Sequence, residues 1–141
     1  MKRKSIALFA AAAALSLAGA LGAAAQESKQ TVTMLLNMPL AGIDGKEANV
    51  VLFDVDADWN IASHFHPGHI FVYVLEGSIK IEVDGQPEQI LAAGEVVYEI
   101  PNQNMVASNI SSAEGAEILI FQAGDIGEPL TVMNLSALRL N

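Results

Sequence analysis

From Thr31 onward the chain is a succession of short apolar runs, each closed by turn-forming residues, and this punctuation limits the possible folds sharply. Residues 31–38 precede Pro39 and the turn-like Ala41-Gly42-Ile43-Asp44-Gly45. Residues 49–55 end at Asp56-Ala57-Asp58, residues 59–66 are broken by Pro67-Gly68, and residues 69–75 close at Glu76-Gly77. Residues 78–84 alternate strictly, with Ile79, Ile81 and Val83 on one face and Ser78, Lys80, Glu82 and Asp84 on the other. Asp84-Gly85 then supplies a hairpin-type turn. Further strands are predicted over residues 89–91, 95–100, 105–109 and 117–122, with Pro101, Gly115 and Gly124 marking breaks. No segment of useful length in this part of the chain spaces its apolar residues by three and four, so helices are not expected. Residues 135–140 read either as one helical turn or as a last strand. Many short strands at regular spacing predict an all-β sandwich or barrel, and closure protects edges that would otherwise pair between molecules.

The first residues differ in kind. Lys2, Arg3 and Lys4 form a positive cluster, residues 5–22 are almost entirely apolar, and Ala23-Ala24-Ala25 places small residues where a signal peptidase reads. This order predicts a secretory signal peptide over residues 1–25, cut between Ala25 and Gln26, with one domain over residues 26–141. The expected location is the periplasm or outside the cell, with no membrane association after cleavage. A retained anchor is the competing reading, but a segment richer in Ala than Leu makes a weak span.

Removing that leader takes away three basic residues and leaves Lys29, Lys46, Lys80 and Arg139 against all sixteen acidic residues. Such an anionic surface repels nucleic acid and anionic lipid, so neither is an expected partner. The chain has no cysteine, so packing alone must stabilise the domain. A chain of this length buries roughly two-thirds of its unfolded surface, enough for one core.

The chemistry concentrates in residues 63–77, SHFHPGHIFVYVLEG. His64 and His66 lie two apart on a predicted strand, so both imidazoles leave the same face. Two neutral imidazoles so placed suit a divalent transition metal. His69 lies just past the Pro67-Gly68 turn, where simple alternation faces it away from the pair and a bulge would re-aim it to join them. Tyr73 carries a hydroxyl for a ligand, Glu99 ends a strand as a carboxylate or acid/base candidate, and Met105 is an adaptable apolar side chain. No nucleophile elbow, phosphate loop or zinc-finger spacing is present.

The His64/His66 pair, the run Tyr73-Val74-Leu75-Glu76-Gly77, Gly94 before an apolar strand, Pro101 and Asn109 fall in an order that resembles the cupin superfamily. The resemblance covers residues 59–109 and implies an all-β cupin-type double-stranded β-helix, a jelly-roll barrel. It also implies a homodimer paired through its sheets. Cupins commonly hold Mn, Fe, Ni, Cu or Zn through three His and one Glu. Counted along the motifs, the Glu position is Ile70 and the third His position is Met105, so His64 and His66 are the two that remain. Two functions follow. One is a non-catalytic module that binds a small molecule in the barrel through Ile70, Tyr73, Glu99 and Met105, with or without a metal on His64, His66 and His69. The other is a metal-dependent enzyme of dioxygenase or isomerase type acting on a small organic substrate.

Overall fold

The computed structural model describes residues 30–136. The signal peptide expected over residues 1–25 lies outside them. The described chain forms ten strands: β1 (Gln30–Pro39), β2 (Lys46–Val55), β3 (Asn60–Phe65), β4 (His69–Glu76), β5 (Ser78–Val83), β6 (Gln89–Ala92), β7 (Val96–Glu99), β8 (Met105–Asn109), β9 (Ala116–Asp125) and β10 (Val132–Met133). No helix occurs among the described residues, as the apolar spacing predicts. The strands build two five-stranded sheets, β1-β2-β9-β4-β7 and β10-β3-β8-β5-β6, with antiparallel pairing throughout. Apart from the β1–β2 and β5–β6 hairpins, each connection carries the chain from one sheet to the other. The result is a jelly-roll barrel closed by side chains.

Period-two patterning makes the interior. In β4, Ile70, Val72 and Val74 are buried while His69, Phe71, Tyr73 and Leu75 are exposed. Ala116, Ile118 and Ile120 of β9 face the same core, and Ile79 and Ile81 of β5 meet them from the other sheet. Two corners decide where the site forms. At the first, Gly77 alone joins β4 to β5 across the sheets with φ of 76°. A Cβ there would lie 2.9 Å from the Ala116 Cβ and from the Gly115 carbonyl oxygen. Only glycine meets both the left-handed backbone and that contact. At the second, His66-Pro67-Gly68 turns the chain from β3 into β4.

β3 also carries a bulge. Ile61 pairs with Ala107 and His64 with Met105, so three steps on β3 match two on β8. The extra residue lets Ile61 and His64, which simple alternation would put on opposite faces, line the same cavity. The last strand among the described residues is Val132–Met133, and most of the run at 135–140 lies outside them. Leu135 and Ser136 lie in a turn, and residues 137–141 are outside the described part.

Candidate functional site

His64 and His66 meet a strand of the opposite sheet inside the barrel. Both are buried, with ring centroids 5.0 Å apart and planes at 83°. Each ring is anchored through Nδ1. His64 Nδ1 donates to the Ala62 carbonyl at 2.9 Å, and His66 Nδ1 donates to the Leu130 carbonyl at 2.5 Å. A carbonyl only accepts, so Nδ1 carries the proton and Nε2 of each neutral ring is an acceptor. Burial holds both imidazoles below the ordinary histidine range and keeps them neutral.

Glu99, at the end of β7, faces them from the other sheet. Its Oε2 lies 3.4 Å from His66 Nε2, just beyond an O–H···N hydrogen bond, and has no hydrogen-bond partner among the described residues. Burial raises this carboxyl to about 7. The register explains its position, because Glu99 pairs directly with Ile70. The cupin-type Glu is missing at position 70, and a carboxylate enters instead from the neighbouring strand, about 5 Å away.

These groups open onto a cavity of about 50 Å³ between the sheets. Trp59, Ile61, Val72, Ile118 and Ile120 supply much of its apolar wall, and His64, His66, Glu99 and Thr131 the polar groups. Among the described residues, neither Lys nor Arg lines it. The Trp59 indole is buried and donates from Nε1 to Gln30 Oε1 at 2.8 Å. A water centre needs ~10–15 Å³, so the space takes a few waters or a molecule of a few heavy atoms.

The remaining sequence candidates fall elsewhere. His69 does not join His64 and His66. It begins β4 on the outer face, exposed, with Nδ1 2.6 Å from the Tyr98 hydroxyl and its ring stacked on that tyrosine. Strand alternation decides this, since β4 pairs in register from His69 to Val74 with no bulge at the turn to reverse it. Tyr73 is outward for the same reason, flanked by buried Val72 and Val74. Ile70 and Met105 are fully buried in the core cluster, and neither lines the cavity. Met105 lies directly opposite His64 on β8. Among the described residues no group of three His, Cys, Asp or Glu is disposed to hold a metal ion. Thr131 and the Leu130 carbonyl escaped the sequence reading, because a short loop after a long strand carries no motif that marks it.

The pairing of a buried H-x-H edge with a closed two-sheet barrel is matched at the level of family. A family model described as a cupin domain matches residues 51–121, half of the chain. The chain belongs to the cupin family. Solved structures agree on the fold. A DMSP lyase from Ruegeria pomeroyi DSS-3 superposes on this cupin with a TM-score of 0.58 at 19% identity, over 74% of this chain and 51% of the lyase. A cupin family protein with a double-stranded β-helix fold from Methanocaldococcus jannaschii gives a TM-score of 0.57 at 15% identity, covering 69% of this chain and 82% of its own. A cupin-like protein from Thermotoga maritima MSB8 gives 0.52 at 23% identity, covering 70% and 77%. These identities carry the fold and not the chemistry. No curated protein matches the sequence.

Proposed function

We propose that this cupin is an exported module that binds a small, largely apolar molecule through one hydrogen-bond-donating group, held between His64, His66 and Glu99. The observation that carries the reading is the commitment of both Nδ1 atoms to backbone carbonyls. Each ring is thereby left with an acceptor at Nε2, in a cavity that no Lys or Arg among the described residues lines. A carboxylate or phosphate would find no cation among these residues. An alcohol, amide or amine finds two acceptors, the Glu99 carboxyl and an apolar wall, the usual make-up of a small-molecule pocket. The test is thermal denaturation with size-matched probes. n-Butanol and n-butylamine are expected to raise the melting temperature, butyrate is not, and His64→Ala removes the effect. Equal stabilisation by butyrate, or none by any probe, contradicts the reading.

A second reading has an observation of its own. Two Nε2 lone pairs and the unpartnered Glu99 Oε2 are the kinds of donor that Mn, Fe, Cu, Ni or Zn takes. The set fits in kind and falls short in number, because no preformed group of three exists among the described residues. His64 and His66 would hold the metal with Glu99 moving towards it, and the metal would supply Lewis acidity to a small organic substrate. A lyase sharing this fold is in keeping with small-molecule chemistry in such a barrel. Elemental analysis of the purified protein, with and without His64→Ala, separates this reading from the first. Metal that copurifies with the native chain and not with the variant supports it.

The proposal extends to compartment and assembly. The leader supports export, and a mature N-terminus at Gln26 in the secreted or periplasmic fraction is the result expected. The outer face of the first sheet supports a homodimer. Leu36, Val50, Phe121, Phe71 and Tyr98 form one cross-strand row over all five strands. Leu52, Leu119, Tyr73 and Val96 form the next. Most of these side chains are exposed. A five-stranded face spans on the order of 600 Å², close to the ~800 Å² that each partner of a standard interface buries. A second copy presents the same apolar face, and two-fold pairing matches it to itself.

A further inference from the structure

The inner face of the first sheet carries a polar row that the site does not use directly. Asn37, Asn49 and Gln122 are register partners on β1, β2 and β9, and the same row continues through Ile70 to Glu99. Asn37 Nδ2 donates to Asn49 Oδ1 at 2.6 Å and to Glu47 Oε2 at 3.1 Å. Asn49 Nδ2 donates to Gln122 Oε1 at 3.0 Å. Glu47, Asn49 and Gln122 are all buried, and a hydrogen-bonded buried network of this kind rigidifies the segments it joins.

What it holds is the segment from β9 to β10. The Gly127 amide donates to Glu47 Oε1 at 3.1 Å, and Gln122 Nε2 donates to the Pro129 carbonyl at 3.3 Å. Beyond these, the Asn134 amide donates to the Ser63 carbonyl at 2.8 Å, and Val132 pairs with Phe65. The strap is therefore tied on both sides of Leu130, whose carbonyl takes the His66 Nδ1 proton. His64 is different. Its carbonyl partner, Ala62, lies on its own strand and needs no strap.

We propose that Gln122 and Glu47 are positioning residues that fix residues 127–131 as a strap, and that the strap sets the tautomer of His66 and hence the acceptor it shows to the cavity. The functional consequence rests on the binding role proposed above. The positioning itself does not.

The test uses the full mature chain and two variants that pull on different ties. Gln122→Met keeps the volume and removes the tie at Pro129. Glu47→Gln keeps the shape and weakens the tie at Gly127, and it carries the test if Gln122→Met does not fold. Imidazole nitrogen spectra report the tautomer of each ring, and amide hydrogen exchange reports the strap. The expected result is faster exchange at Gly127 and a loss of the pure Nδ1–H form of His66 in favour of a mixture, while His64 keeps its tautomer. Within the native protein, His66 Nδ1–H is expected to open to solvent together with the Gly127 amide, a comparison that requires no substitution. The proposal is overturned if the strap keeps its protection in the variants, if His66 stays Nδ1–H on a loosened strap, if both rings change in step, or if the native Nδ1–H and the Gly127 amide open independently. A strap that behaves as described in a protein that takes up neither n-butanol nor n-butylamine keeps the positioning role and removes the binding one.

Discussion

At the scale of single residues, Glu99 and the histidine pair pull the pH dependence in opposite directions. The Glu99 carboxyl keeps its proton in the fold up to about 7, whereas the unfolded chain releases it near 4.5. Between those values unfolding releases a proton, so stability falls as pH rises, by on the order of 3 kcal/mol in all. Burial lowers both histidines from 6.5, so the unfolded state takes up protons first and stability falls as pH drops below 6.5. Glu99→Gln removes the first effect. Urea denaturation across pH is expected to show the variant's stability maximum displaced to higher pH, and greater stability than the native chain in alkali. An unchanged profile would mean that Glu99 is solvated. Once ionised, the same carboxyl favours a cationic ligand, so n-butylammonium is expected to bind more tightly as pH rises through about 7, and n-butanol is not. At this scale the sequence was informative about His64 and His66, whose two-residue spacing survives as shared burial. It left His69 open between facing away and joining the pair, because whether a turn reverses the strand phase depends on three-dimensional register. Glu99 could be named but not placed, since only the pairing of β4 with β7 shows that it stands beside Ile70.

At the scale of elements, the corners and cross-strand rows make separate claims. Gly77→Ala forces a side chain into a left-handed backbone and against Ala116, and is expected to cost on the order of 3 kcal/mol in chemical denaturation. Asp54, Glu117 and Glu76 are direct cross-strand partners, three carboxylates in line on one sheet. Like charges so placed are unfavourable. Glu117→Lys is therefore expected to stabilise by about 0.5–1 kcal/mol at low ionic strength, a gain that shrinks with added salt. Nine strands were legible in the apolar runs because turn residues bound each of them, and Ser78, Ile79, Lys80 and Ile81 alternate in burial as their pattern predicts. β10 was not, since two residues carry no period. Nor was the β3 bulge, as an extra residue leaves the composition of a strand unchanged.

At the scale of the whole molecule, the outer face of the first sheet and the closed interior have different fates. Phe71→Asp places a charge at the centre of the exposed aromatic row, and light scattering is expected to show a dimer become a monomer with its fold retained. A native chain that is monomeric at all concentrations would remove the interface. The interior claim is more central: two imidazoles, each with its Nδ1 proton donated to a carbonyl, and one carboxyl converge on an apolar cavity between two sheets. A crystal structure of the mature protein soaked with n-butanol tests it most directly. The account predicts the hydroxyl within hydrogen-bond distance of His64 Nε2 or His66 Nε2, with both Nδ1 atoms still on Ala62 and Leu130. Rings turned out to solvent, or an alcohol bound only on the outer face, would contradict it.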